Sequence, residues 1–131
     1  MTTILLDHNI EGYAVIILGS LAAEGWLDLL PIRLATFADV NLPFESDDRA
    51  VWRFAHENNM ILLTDNRNMK GKDSLERAIR EENTLTSLPV LTIGKAERLD
   101  EKNYRGKFIA RLVEVILDLD NYLGTGRIFI P

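Results

Sequence analysis

The chain contains no cysteine and only two histidines, His8 and His56. Disulfides, thiolate nucleophiles and thiolate metal ligands are excluded together, and a zinc centre would have few donors to draw on. The lack of cysteine also suits a reducing compartment. Positive charge is scarce as well: 15 basic against 20 acidic side chains leave a formal charge of -5. The total therefore does not draw the chain to nucleic acid or to an anionic membrane, although basic patches on one face are still allowed. Long apolar runs are missing too. The segment from Tyr13 to Leu18 is far shorter than the roughly 20 residues that a bilayer requires. No basic, apolar and small-residue series marks a secretory leader. A cytoplasmic domain without membrane association is expected.

What is present is a globular composition. Hydrophobic residues make up 47% and charged residues 27%, which excludes a disordered chain. At 131 residues the length is that of one compact domain, so a single domain over 1–131 is expected, with no internal repeat or linker to divide it.

The run Ile4 to Leu6 reads as a short buried strand that ends at Asp7. A helix is predicted from Asn9 through Ala23, with Asn9 or Asp7 able to cap it and Gly25 to stop it. A second strand is predicted over Ile32 to Phe37. Ser46 is then read as the cap of a helix whose first turn carries Asp47 and Asp48, and whose apolar residues include Val51, Trp52, Phe54 and Ala55. Met60 to Thr64 forms the third strand, Ser74 to Glu82 a helix, and Pro89 to Ile93 the fourth strand. Phe108, Leu112, Val115, Ile116 and Leu119 recur at helical intervals within a helix read from Asn103 to Leu123, and Arg127 to Ile130 adds an edge strand. This alternation predicts an α/β domain with a mostly parallel central sheet covered on both faces.

In such a sheet, chemistry gathers beyond the carboxyl ends of the strands. Asp7 follows the first strand and Asp65 the third, so both can face one edge. Asp47 and Asp48 open the helix that leads into the third strand, and Asp47 is the preferred candidate of the two. Carboxylates that converge repel one another unless a divalent cation supplies the missing charge. Oxygen donors without cysteine favour Mg2+ or Mn2+, which would lower the pKa of an attacking water and hold a phosphodiester oxygen. Asn9 and Asn66 can orient water or phosphate, and Thr64 can donate from its hydroxyl.

Three stretches carry a resemblance: ILLDHN at Ile4 to Asn9, SDDRAVWRFAHEN at Ser46 to Asn58, and ILLTDN at Ile61 to Asn66. In that order they resemble the small PIN-like domains related to the nuclease toxins of bacterial toxin and antitoxin pairs. The resemblance runs from the first strand to the last long helix. It implies a three-layer α/β/α domain with an acidic site, dependent on Mg2+ or Mn2+, that cuts RNA. Asp7, Asp47 and Asp65 would match the family's acidic positions. For a fourth acidic ligand Asp73 is the nearest candidate, with Asn66 or Asn68 as neutral substitutes. An antitoxin-like protein and a second copy of the chain are the partners that the resemblance implies, and a catalytically silent PIN-like binding module is the alternative function.

Arg67, Lys70 and Lys72 after Asp65, and Lys95 and Arg98 after the fourth strand, are candidate phosphate contacts, with Lys102, Arg105, Lys107 and Arg111 farther along. Trp52 and Phe54 read as core, and Trp26 as a candidate for a dimer surface. His8 is placed to touch substrate or to bond locally, whereas His56 lies too far along its helix from Asp47 to share a metal with it. A phosphoacceptor receiver domain would use Asp7 or Asp65 as acceptor and Lys95 as its charge partner. The usual adjacent acidic pair after the first strand is replaced here by DHN.

Overall fold

The computed structural model describes residues 1–67 and 70–131, so the candidate substitute Asn68 lies outside the described residues. Strand β1 (Thr2–Leu6) is followed by a 3-10 helix over His8–Tyr13, helix α1 (Ala14–Ala23), the short α2 (Trp26–Leu29) and strand β2 (Ile32–Ala35). Helix α3 (Asp48–Glu57), β3 (Met60–Thr64), α4 (Leu75–Glu82), β4 (Val90–Ile93), α5 (Lys102–Leu117) and β5 (Arg127–Ile130) complete the main elements. The strands form one sheet in the order β2-β1-β3-β4-β5, and every pairing is parallel.

Both faces of the sheet are covered, which gives a three-layer α/β/α domain. Ile4 and Leu6 of β1 point to one face, where Leu63, Leu91 and Ile93 join them against Ile17 and Leu21 of α1 and Phe108 and Leu112 of α5. Leu5 points the other way, with Leu62 and Val90, against Val51, Trp52 and Ala55 of α3 and Ala78 and Ile79 of α4. That two-sided burial explains why β1 and β3 read as unbroken apolar runs. Trp52 is buried in the second core and Phe54 packs beside it. Trp26 is half-buried against the first core. No helix among the described residues is long and apolar enough to cross a membrane.

The crossovers do not all share one hand. From β1 the chain steps through α1 to β2 on one side, and from β4 it steps through α5 to β5 on the other, yet α1 and α5 lie on the same face. Opposite steps over one face have opposite hands. The crossovers through α3 and α4 step toward β5 over the other face, and so share the hand of the first. Right-handed crossovers are the rule, which makes the β4–α5–β5 unit the exception. With α3 and α4 already covering the second face, the large apolar side of α5 (Phe108, Ile109, Leu112, Val113 and Val115, all buried) finds its partners on the first.

Several element boundaries differ from expectation, and at β2, α3 and α5 the reason is local side-chain bonding. The helix read from Asn9 starts as a 3-10 helix and becomes α-helical only at Ala14. Strand β2 stops at Ala35 because Thr36 and Asp39 bond to each other, the Thr36 amide donating to Asp39 Oδ2 (2.9 Å) and the Asp39 amide to Thr36 Oγ1 (3.2 Å). The long helix ends at Leu117, where the Asn121 side-chain amide donates to Asp118 Oδ1 (2.6 Å) and draws the next residues into a 3-10 turn. The cap of α3 is Asp47, not Ser46: its Oδ1 accepts from the Ala50 amide at 2.8 Å.

Candidate acidic crevice at the strand switch point

The order of the strands reverses between β1 and β3, because the chain leaves β1 toward β2 and returns on its other side. In an open α/β sheet the crevice at such a point, beyond the carboxyl ends of the strands, is where ligands bind. Here it is lined by Asp7, His8 and Asn9 after β1, by Phe44, Ser46 and Asp48 on the run into α3, and by Asn66 after β3. Buried Phe37, Leu62 and Leu75 form its apolar floor.

Asp7 is fixed from β3. Its backbone amide donates to Leu63 O at 2.9 Å, which extends the ladder by one residue, and its Oδ2 accepts from the Thr64 hydroxyl at 2.6 Å. Thr64 is fully buried, and its Oγ1 in turn accepts from the Asn66 amide at 2.9 Å. Thr64 thus links the two strand ends, a supporting role fulfilled from below rather than by facing outward. Burial pushes the Asp7 carboxyl above its ordinary value. The Thr64 bond opposes that shift, and the carboxylates of Asp48 and Asp65 add to it.

The two aspartates at the start of α3 divide the work. Asp47 is exposed and turned to its own helix as the cap. Asp48 points inward, its Oδ2 accepting from Asn66 Nδ2 (2.9 Å) and from the amide of Leu75 (3.2 Å). The crevice wall is therefore made by Asp48, and Asp47 stands outside it. Asp65 is half-buried next to the crevice, close enough for its charge to act on Asp7, but it does not line the wall.

Asp73, the candidate fourth ligand, faces elsewhere. Its Oδ1 accepts from Arg49 Nε at 3.2 Å, and Arg49 also reaches Glu81, Glu82 and the carbonyl of Lys72 on the outer side of α3 and α4. Among the described residues no group of three or more His, Asp or Glu side chains is arranged to hold a metal ion. What the crevice offers is a pair of carboxylates, Asp7 and Asp48, with the amide groups of Asn9 and Asn66 beside them. Carboxylate and amide oxygens are hard donors, and Mg2+ commonly takes one or two carboxylates and keeps several waters.

The basic residues are unevenly placed. Arg67, Lys70, Lys72 and Lys95 are exposed. Arg98 is held by Glu101 at 3.1 and 3.2 Å and lies over the Tyr104 ring. Arg105 donates to Leu99 O, and Arg111 to Glu114 and Tyr122. His56 spans the carbonyls of Trp52 (2.8 Å) and Leu88 (2.9 Å) far from the acids.

Two contributors had no counterpart in the sequence reading. Glu11 braces His8, its Oε1 lying 2.5 Å from His8 Nδ1 while its Oε2 accepts from the Phe37 amide. Arg127 of β5 donates through Nη1 to the carbonyl of Asn66 (2.8 Å) and to Thr92 Oγ1 (2.8 Å), and so secures the loop after β3. The Glu11–Phe37 and Arg127 contacts join segments distant in sequence and no spacing rule exposes them, whereas Glu11 and His8 stand three residues apart, a spacing the sequence does show. No protein-family model matches the chain, and no curated protein or solved structure matches it.

Proposed function

We propose that the protein is a PIN-like, divalent-metal-dependent endoribonuclease whose cation sits in the switch-point crevice, held by Asp7 and Asp48. The observation that carries this reading is that two carboxylates, Asp7 and Asp48, line one half-buried crevice with Asp65 beside it, a pairing whose mutual repulsion a cation relieves. Bound Mg2+ or Mn2+ would acidify an attacking water and neutralise charge developing on a phosphodiester oxygen. The chain's own groups would do the rest: Thr64 orients the Asp7 carboxylate, Asn66 orients that of Asp48, and exposed Arg67 flanks the strand end for a phosphate contact. Asp65 contributes charge from beside the crevice.

A second reading, a catalytically silent PIN-like module that binds RNA or an antitoxin-like protein, has its own support. The described residues bring two carboxylates to the crevice wall where the family resemblance implies more, and Asp48 is already engaged by Asn66 and Leu75. A phosphoacceptor reading has less to stand on, since Asp65 does not line the crevice and Lys95 is exposed beyond β4.

The deciding experiment titrates Mn2+ into the purified protein and follows cleavage of single-stranded and structured RNAs, beside Asp7→Asn, Asp48→Asn and Asp47→Asn. On the nuclease reading Asp7→Asn and Asp48→Asn lose roughly a hundredfold or more in rate, because the lost charge stabilisation is several kcal/mol. Asp47→Asn cleaves as the parent does. Cation binding without cleavage favours the silent module, and neither binding nor cleavage sinks the site.

A further inference from the structure

Phe44 is the one large exposed apolar side chain, among the described residues, that also lines the acidic crevice. The residue is 57% exposed. One face of its ring is covered by His8, whose ring lies 4.3 Å away at an interplanar angle of 13°. His8 is itself held in place, clamped by Glu11 at Nδ1 and lying 5.9 Å from the ring of buried Phe37. The three rings form a braced pile that rises from the core to the lip of the crevice and ends in an uncovered aromatic face.

We propose that this outer face of Phe44 is a stacking platform for one base of a single-stranded RNA, which sets the neighbouring phosphodiester over Asp7 and Asp48. The RNA itself is taken from the nuclease reading above, and the platform narrows it to unpaired strands. A base inside a duplex has both faces occupied, whereas an unpaired base offers a free face to any flat ring. A ring already stacked on His8, which Glu11 holds in turn, loses little freedom on binding. The contact also answers a difficulty of this chain. With a formal charge of -5 and with Arg98 and Arg111 engaged by neighbouring glutamates, it has limited means to hold a strand through its phosphates. Stacking needs no charge.

The test measures binding of a short labelled single-stranded RNA, its duplex form and free AMP. The Asp7→Asn chain is used so that the strand stays intact, alone and combined with Phe44→Leu or Phe44→Trp. Stacking magnitudes predict that Phe44→Leu weakens single-strand binding by about tenfold or more, while Phe44→Trp retains it. In the cleaving parent, Phe44→Leu lowers kcat/KM, with KM raised. Circular dichroism checks that the exposed substitution leaves the fold intact. Single-strand binding that is indifferent to Phe44→Leu, or a duplex or AMP bound as tightly as the single strand, overturns the platform. A parent that cuts no RNA but binds single strands through Phe44 overturns the nuclease reading and keeps the platform. A parent that cuts RNA with KM unmoved by Phe44→Leu does the reverse.

Discussion

Asp7 carries a charge that its surroundings disfavour. Burial raises its pKa first, and the nearby carboxylates of Asp48 and Asp65 raise it further against the opposing Thr64 bond. A carboxyl whose folded pKa lies above its unfolded value contributes stability below the unfolded value, and that contribution is lost as the pH climbs through the folded pKa. At neutral pH Asp7 therefore contributes less to stability than it does in acid. Asp7→Asn, which can still accept from Thr64, should melt above the parent at neutral pH. The gap should close as the pH falls to the ordinary carboxylate value of 3.8. Thermal unfolding across that range checks it, and a variant that melts below the parent at neutral pH contradicts it. If the crevice takes Mn2+, the ion should raise the melting point of the parent and not that of the variant. The same scale explains why the sequence favours Asp47 although Asp48 is the one that lines the crevice. Asp48, Val51, Trp52 and Ala55 fall at intervals of three and four on one helix face, which is the buried one. That phase is legible in the sequence, but a cap at Ser46 starts the helix one residue early.

Elements were easier to read than their ends. The third strand is found at Met60–Thr64 as expected, and the bodies of α4 and α5 were visible in their apolar periodicity. Ends depend on side chains that compete for backbone groups, as Thr36 with Asp39 and Asn121 with Asp118 do here, and those partnerships leave only weak traces in composition. Gly124 is an end whose identity geometry dictates. Its φ is +83°, and a Cβ placed there would lie 2.9 Å from the carbonyl oxygen and 3.0 Å from the Cα of Leu85, both backbone atoms. Gly124→Ala should therefore cost about 1–3 kcal/mol, measured as a lower urea midpoint at unchanged slope. Gly124 lies at the amino-terminal edge of the sheet, where its amide bonds Ser87 ahead of β4, so the crevice at the opposite edge should be untouched. Loss of ligand binding in the folded variant would contradict that separation.

At the scale of the whole molecule, alternation of strands and helices foretold the parallel sheet but neither its order nor the reversed hand of the last crossover. Those are settled by which apolar faces remain uncovered once the other layers are in place, a property of the assembled domain. Arg127 shows the consequence. It stands on the edge strand, where a charged residue usually serves solubility, yet its side chain is only 9% exposed. It reaches across β4 to the Asn66 carbonyl and Thr92, with Nη2 3.2 Å from Glu76 Oε2 as an ion pair. The last strand thus holds the loop whose Asn66 side chain steadies Asp48. Arg127→Met would strand these three partners in a largely buried setting, at a cost of about 1–3 kcal/mol. If the crevice binds a cation, the same substitution should also weaken Mn2+ binding, because Asn66 would no longer be pinned from behind. Arg127→Lys, which keeps the charge but not the forked geometry, should recover part of the stability and less of the affinity. Melting curves and Mn2+ titrations of the two variants separate the roles. A fall in stability with Mn2+ affinity unchanged would mean that β5 fastens the sheet without shaping the crevice.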